Sequence, residues 1–240
     1  MATSCAQLFQ PCYTGCAVQT LTIAARVREA LQRVQAACRR CGRSPEEVTV
    51  VAVAKGFPPE AVREAHAAGL RHFGENRVQE AAAKRPFLAD LDVTWHMVGH
   101  LQTNKVRKAL ELFQVFHSVD SEHLAREMDR RAPGPLTVLL EVNVAGEPTK
   151  FGFSPQEVPA AFERIARLPN LRVVGLMTVA PAVPNPEEVR PVFRRLRQLA
   201  RALGLPHLSM GMSDDFEVAI EEGATMVRLG RVLFGPRPGG

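Results

Sequence analysis

Thr49-Val50-Val51-Ala52-Val53-Ala54-Lys55, followed at once by Gly56-Phe57-Pro58-Pro59, decides how the rest of the chain is read. A run of small and β-branched apolar residues reads as a buried strand, and the Gly/Pro cluster forces the chain out of it. The run stops at an amine. An ammonium at the end of a buried strand is costly to desolvate, so it is either paired or functional. Lysine is also scarce, occurring only at 55, 84, 105, 108 and 150, while arginine supplies the rest of the positive charge. Guanidinium stays protonated, whereas a desolvated lysine can lose its proton and attack a carbonyl.

Working outward, eight short apolar segments recur, at 49–55, 71–75, 94–99, 115–120, 137–144, 171–179, 207–211 and 225–230. Helical periodicity fills the intervals at 60–68, 77–89, 104–112, 121–131, 155–168, 187–203 and 214–222. Gly69, Gly204 and Gly223 supply helix stops, and Ser121 and Asp214 are expected as N-terminal caps. Strands alternating with helices imply βαβ units and a parallel sheet. Eight strands with seven helices predict an α/β protein, a (β/α)8 TIM barrel. A leading helix over 18–41 is expected to cover the place of the missing eighth helix. An open doubly wound sheet is the rival, but the chain shows no Gly-rich dinucleotide fingerprint. The expected organisation is a loose leader at 1–17 and a single barrel domain at 18–240.

Composition narrows the function classes. The chain has 240 residues, 46% of them hydrophobic and 23% charged, enough for one large core. A net charge of +5 invites a nucleic-acid reading, but the basic residues are scattered and one Trp and one Tyr offer little for base stacking. No apolar run approaches the roughly 18 residues of a membrane span, and the first basic residue is Arg26, too late for a signal peptide. A cytoplasmic protein is therefore expected, with neither nucleic acid nor membrane as partner. The cysteines at 5, 12, 16, 38 and 41 read as cytosolic thiols; Cys38-Arg39-Arg40-Cys41 has no second pair at zinc-finger spacing.

Barrels of this kind build their sites at the C-terminal ends of the strands. Those ends carry Lys55, Glu75-Asn76, His96, His100, His117, Ser118, Asp120, Glu141, Asn143, Thr178, Ser209, Ser213, Arg228 and Gly230. A phosphate near strands seven and eight would meet the Ser213 hydroxyl, the bare backbone at Gly230 and the Arg231 amide. Asp214 and Asp215 would repel it unless they face away as caps. An ordinary strand–helix turn is the alternative. A lysine opposite a phosphate site suits a phosphorylated aldehyde held as a Schiff base, which describes pyridoxal 5′-phosphate. Arg228 shares a face with Gly230 and could meet the pyridine nitrogen, where an arginine disfavours ring protonation. A structural salt bridge or a snorkelling amine remains the other reading of Lys55.

These residues resemble a known family. Val53-Ala54-Lys55, Phe73 to Glu80, Trp95 to Lys105, His117 to Ser121, Gly175 to Thr178, Leu208 to Asp215 and Val227 to Gly230 are similar, in collinear order, to the pyridoxal phosphate homeostasis proteins. The resemblance spans about residues 18–236 and implies a barrel of the alanine racemase N-terminal domain type, with the cofactor on Lys55. It further implies that Ser209, Ser213, Gly230 and the Arg231 backbone bind phosphate, that Arg228 faces the ring nitrogen, and that Asn76 and His96 line the pocket. Arg231 departs from the serine or threonine often found after that glycine. Lys150 matches a family lysine near the mouth, either a transient holder of the cofactor or a solvent-exposed amine. The cysteine-bearing leader is no part of the pattern.

The resemblance implies intracellular cofactor homeostasis without catalytic turnover, with pyridoxal-phosphate-requiring apo-enzymes as partners. The alternative is an amino-acid racemase or decarboxylase. Racemisation needs acid and base groups on both faces of the substrate, and in two-domain racemases a second, β-rich domain supplies a tyrosine. Here the only tyrosine is Tyr13, in the leader. A Schiff-base aldolase is a third reading. With no clear dimer face in the sequence, a monomer is expected.

Overall fold

The computed structural model describes residues 21–236. The leader, with Cys5, Cys12, Tyr13 and Cys16, lies outside the described residues. The elements run in chain order as α1 (Ile23–Arg40), β1 (Thr49–Val53), α2 (Pro59–Ala67), β2 (His72–Glu75), α3 (Val78–Lys84) and β3 (Thr94–Met97). Next come α4 (Val106–Leu112), β4 (Val115–Val119), α5 (Glu122–Arg131), β5 (Leu136–Glu141), α6 (Val158–Ile165) and β6 (Leu171–Met177). Then follow α7 (Arg190–Ala202), β7 (His207–Ser209), α8 (Phe216–Glu221), β8 (Met226–Leu229) and α9 (Arg231–Phe234). The strands pair in parallel in the order 1 to 8, and β1 returns to β8, Val51 opposite Arg228, so the barrel is closed.

Alternation along each strand sorts side chains between two compartments. Phe73, Trp95 and Phe116 point outward with Phe193 and Phe216 into the layer beneath the helices, where each is fully buried. Each such ring contributes about 1.5–3 kcal/mol of burial. The inward positions are different: two small apolar patches, Val51-Val53-Val98 and Leu139-Val174-Met177, flank a buried polar set that includes His96, His117, Ser209 and Arg228. The barrel interior is therefore partly a hydrogen-bonded scaffold.

The amphipathic α1 buries Val27, Ala30, Val34, Ala37 and Cys38, is capped by the Thr22 hydroxyl, and packs on α2, α8 and α9. Arg33–Glu217 and Arg40–Glu221, both at 2.7 Å, tie its exposed flank to α8. The leading helix is where the sequence puts it, but the eighth helix is not missing: the single turn α9 follows β8, and α1 supplements it. Gly69, Gly204 and Gly223 end helices with positive φ, as glycine permits, and Ser121 caps α5 through the Leu124 amide. Asp214 is not the cap expected of it. Asp215 occupies that position at the start of α8, with its carboxylate on the Met212 amide at 2.6 Å. Among the described residues no helix is long and apolar enough to cross a membrane.

Candidate functional site

Lys55 lies just past β1, within a turn. The sequence extends the strand to 55, but the Phe57 amide donates back to the Ala54 carbonyl at 3.1 Å and Gly56 takes φ 76°. This is the geometry of a turn that demands glycine at its third position. The turn lifts Lys55 into the barrel mouth. Its base is fixed by a second amine: buried Lys84 donates to the Ala54 carbonyl and to Glu75 Oε1, both at 2.6 Å. Glu75 is fully buried and its other oxygen has no hydrogen-bond partner among the described residues. Burial pushes its carboxyl up to about 7, against the opposing pull of the Lys84 hydrogen bond and of the Lys84 and Lys55 charges. One lysine thus pins the ends of β1 and β2, and with them Lys55 and Asn76.

A mouth pocket of about 480 Å³ is lined by Lys55, Asn76, Ser213, Arg228, Gly230 and Arg231, with Val53, Phe57, Val98, Val179 and Met212 as apolar walls. This size suits a small-molecule site. Its strand-7/strand-8 side is built from two loops stitched together: the Val232 amide donates to Ser213 Oγ at 3.3 Å. Gly211, at φ 93°, makes the bend that delivers Met212 and Ser213; a Cβ there would sit 2.6 Å from Ala219 Cβ. The electrostatic objection to an anion is answered by partners. Asp214 is paired at the rim with the Arg231 guanidinium, and Asp215 is turned into the Met212 amide. Gly230 has φ −116°, and a Cβ built on it meets only Val53, at 3.4 Å or more. The protein's own packing does not demand glycine there, and the position borders the pocket.

Arg228 forms the floor of this pocket and is 5% exposed. It donates to Ser209 Oγ at 2.7 Å and to the Thr178 carbonyl at 2.8 Å. Burial lowers its guanidinium to about 10, although the Glu141 and Asp215 charges oppose the fall. It remains a cation at neutral pH and offers only N–H donors. On another side of the mouth, burial and the neighbouring Asp120 charge push the Glu141 carboxyl up to about 7, with Arg228 and Lys150 opposing. His100 Nδ1 lies 2.7 Å from Asp120, and its ring stacks on the exposed Phe151 at 3.8 Å.

The structure gathers six of the eight expected site residues around one pocket: Lys55, Asn76, Ser213, Arg228, Gly230 and Arg231. The other two lie outside the pocket lining. Ser209 is fully buried with its hydroxyl engaged by His117 and Arg228, so it lies under the floor. His96 is likewise buried below the pocket wall, hydrogen bonded to His72 and His117. Both point inward one layer beneath the mouth, since the residue two places on (Val98 after His96) lines the pocket instead. Lys150 is exposed on the loop beyond β5 and outside the pocket lining. Reading the strand ends missed Lys84 and His72, and named His117 without giving it a role. Their signals were a lysine on the helix following Glu75, and one histidine on each of three successive strands. Cys38 and Cys41 are free thiols at the end of α1, and among the described residues no group of His, Cys, Asp and Glu is arranged for a metal ion.

Comparison with known proteins agrees with this architecture. The family described as "Alanine racemase, N-terminal domain" matches residues 24–238. A relative from Aquifex aeolicus, named pyridoxal phosphate homeostasis protein, is 49% identical over 221 residues, covering 88% of this chain and 97% of its own. Among solved structures, PipY of Synechococcus elongatus with pyridoxal phosphate bound is 41% identical with a TM-score of 0.78, over 89% of this chain and 100% of that one. The alanine racemase of Corynebacterium glutamicum shares the fold at 21% identity and a TM-score of 0.72, over 90% of this chain and 61% of that enzyme. The chain belongs to the pyridoxal phosphate homeostasis protein family, built on the alanine racemase N-terminal domain.

Proposed function

We propose that this protein binds pyridoxal 5′-phosphate reversibly as a Schiff base on Lys55 and serves its intracellular homeostasis without catalytic turnover, as a cytoplasmic monomer that supplies apo-enzymes. One observation carries the reading: an amine, an arginine and a Ser/Gly-lined loop pair converge on a single pocket of about 480 Å³. The names of the relatives and the ligand of PipY support the same cofactor. Once bound, the cofactor supplies an aldehyde for an amine and a ring able to withdraw electrons.

The chain's own groups divide the work. Ser213, Gly230 and the Arg231 amide hold the phosphate, the Arg231 side chain being occupied by Asp214. Asn76 and the apolar walls orient the ring and exclude water. Arg228 donates an N–H to the ring nitrogen, and as a cation without acceptor atoms it keeps that nitrogen unprotonated. An unprotonated ring withdraws electrons weakly, which suits retention better than turnover. The racemase or decarboxylase reading is favoured by Glu141, a carboxyl near the mouth whose burial brings it toward neutral titration.

Borohydride reduction of the loaded protein followed by peptide mapping should place the adduct on Lys55, and Lys55→Ala should lose the reducible chromophore. A protein that takes up no pyridoxal phosphate, or an adduct elsewhere, overturns the reading. Incubation of the loaded protein with D- and L-amino acids separates carrier from enzyme: turnover well above that of free cofactor would establish an enzyme.

A further inference from the structure

Five polar side chains form one continuous chain through the barrel interior, from the floor of the pocket to the strand-start end. Arg228 donates to Ser209 Oγ at 2.7 Å, and Ser209 Oγ lies 2.8 Å from His117 Nδ1. His117 Nε2 lies 2.8 Å from His96 Nδ1, and His96 Nε2 lies 3.0 Å from His72 Nδ1. Ser209 and His117 are fully buried, His96 is nearly so, and His72 at the start of β2 is half-buried.

Donor and acceptor bookkeeping allows one direction. A guanidinium only donates, so Ser209 Oγ accepts from Arg228. The Ser209 proton then has His117 Nδ1 as its acceptor, because the hydroxyl's other neighbour cannot accept. His117 must carry its proton on Nε2 and pass it to His96 Nδ1; His96 repeats the pattern toward His72 Nδ1. In the reverse direction His117 would donate to Ser209, and the buried hydroxyl proton would have no acceptor, an outcome that native interiors avoid. An imidazolium anywhere in the chain would create the same conflict, since both its nitrogens donate.

We infer that His72, His96 and His117 are locked as neutral Nε2–H tautomers in a chain polarised by Arg228, and that Ser209 and His117 are positioning residues for its guanidinium. The electrostatics agree: burial, reinforced by the permanent charge of Arg228, holds the His117 imidazole well below its ordinary range. The arrangement has a consequence that rests on the proposed cofactor reading. The bare Nδ1 ends of the imidazole dipoles face Arg228, and its hydrogen bonds go to the neutral Ser209 hydroxyl and Thr178 carbonyl, with no carboxylate bonded to it among the described residues. Glu141 and Asp215 act on it only through their charges, so its remaining N–H donors stay available to the ring nitrogen. A carboxylate in the position of Ser209 would neutralise the guanidinium.

The test uses the full chain labelled with 15N-histidine, without cofactor, at neutral pH. Long-range 15N–1H correlations should show protonated Nε2 and bare Nδ1 at all three positions. Ser209→Ala removes the polarising link, and His72, at the far end of the chain, should lose its single tautomer. Ser209→Thr keeps the hydroxyl and should restore it. An Nδ1–H tautomer or imidazolium in the wild type, or an unchanged His72 in Ser209→Ala, overturns the inference. With 15N-labelled pyridoxal phosphate added, the ring nitrogen should be unprotonated in the wild type, and Ser209→Ala should retain the cofactor about tenfold less tightly, the effect of one lost charge-assisted hydrogen bond. Failure of cofactor uptake in the wild type would sink the functional reading while leaving the histidine spectra to stand or fall alone.

Discussion

Replacing Lys84 with methionine removes the ammonium that joins the Ala54 carbonyl to the Glu75 carboxylate, both at 2.6 Å, inside the barrel wall. The methionine fills a similar volume, so the loss is electrostatic. Even with Lys84 present, Glu75 is raised from 4.5 to about 7, which at about 1.4 kcal/mol per unit is a burial penalty of about 3 kcal/mol above neutrality. Stripping one partner from such a pair costs about 3–5 kcal/mol. The sign of the pH dependence follows. A carboxyl whose folded value lies above its unfolded value destabilises the fold at high pH and is relieved as pH falls toward the unfolded value. Lys84→Met should therefore be destabilised by about 4 kcal/mol at pH 8 and by roughly 1–2 kcal/mol at pH 5. Urea unfolding followed by fluorescence of Trp95, the single tryptophan and 1% exposed, reads this directly. The Glu75→Gln, Lys84→Met double variant leaves no buried charge at this pair and should recover most of the loss. A single variant within about 1 kcal/mol of wild type at both pH values would refute the assignment of a buried, mutually dependent pair.

Two further outcomes are expected. Gly230→Ala adds a Cβ that borders the pocket and meets only Val53 among the described residues; cofactor uptake should weaken with the unfolding midpoint nearly unchanged, and unchanged uptake would contradict the phosphate placement. Glu222 is 4% exposed amid Arg190, Arg194 and Arg197; burial raises its carboxyl, the guanidinium hydrogen bonds outweigh that, and the net shift is downward. Its contribution is present above the unfolded value and is lost as pH falls through the lower folded one. Glu222→Gln should thus be about 1–2 kcal/mol less stable at pH 7 and equal to wild type in strong acid, by the same fluorescence assay.

The barrel was legible because β1 and its successors carry local signals: β-branched runs, glycine stops and turn residues that do not depend on distant partners. The pocket was legible for a related reason, since the mouth of a parallel barrel is the set of strand ends and those can be read in order. Depth was not legible. Ser209 and Ser213 are both serines on one strand-to-loop segment, yet one lies under the floor and the other on the wall, a distinction set by barrel geometry. Nor could the sequence show that Asp214 and Asp215, adjacent and chemically alike, take opposite orientations. The Lys84 clamp escaped notice because its partners, Ala54 just past β1 and Glu75 at the end of β2, belong to two different βα units. It exists only once β1 and β2 are in register.

The pairing of β1 with β8 leaves every strand of the ring with a neighbour on both sides. Among the described residues the ring presents no row of unsatisfied backbone amides as a template, so association by strand addition to it, the usual route to domain-swapped or fibrillar forms, has nothing to start from. Self-recognition through the barrel must proceed through side chains on its helices and loops, including the mouth itself, and it can be switched by surface substitutions without disturbing the ring.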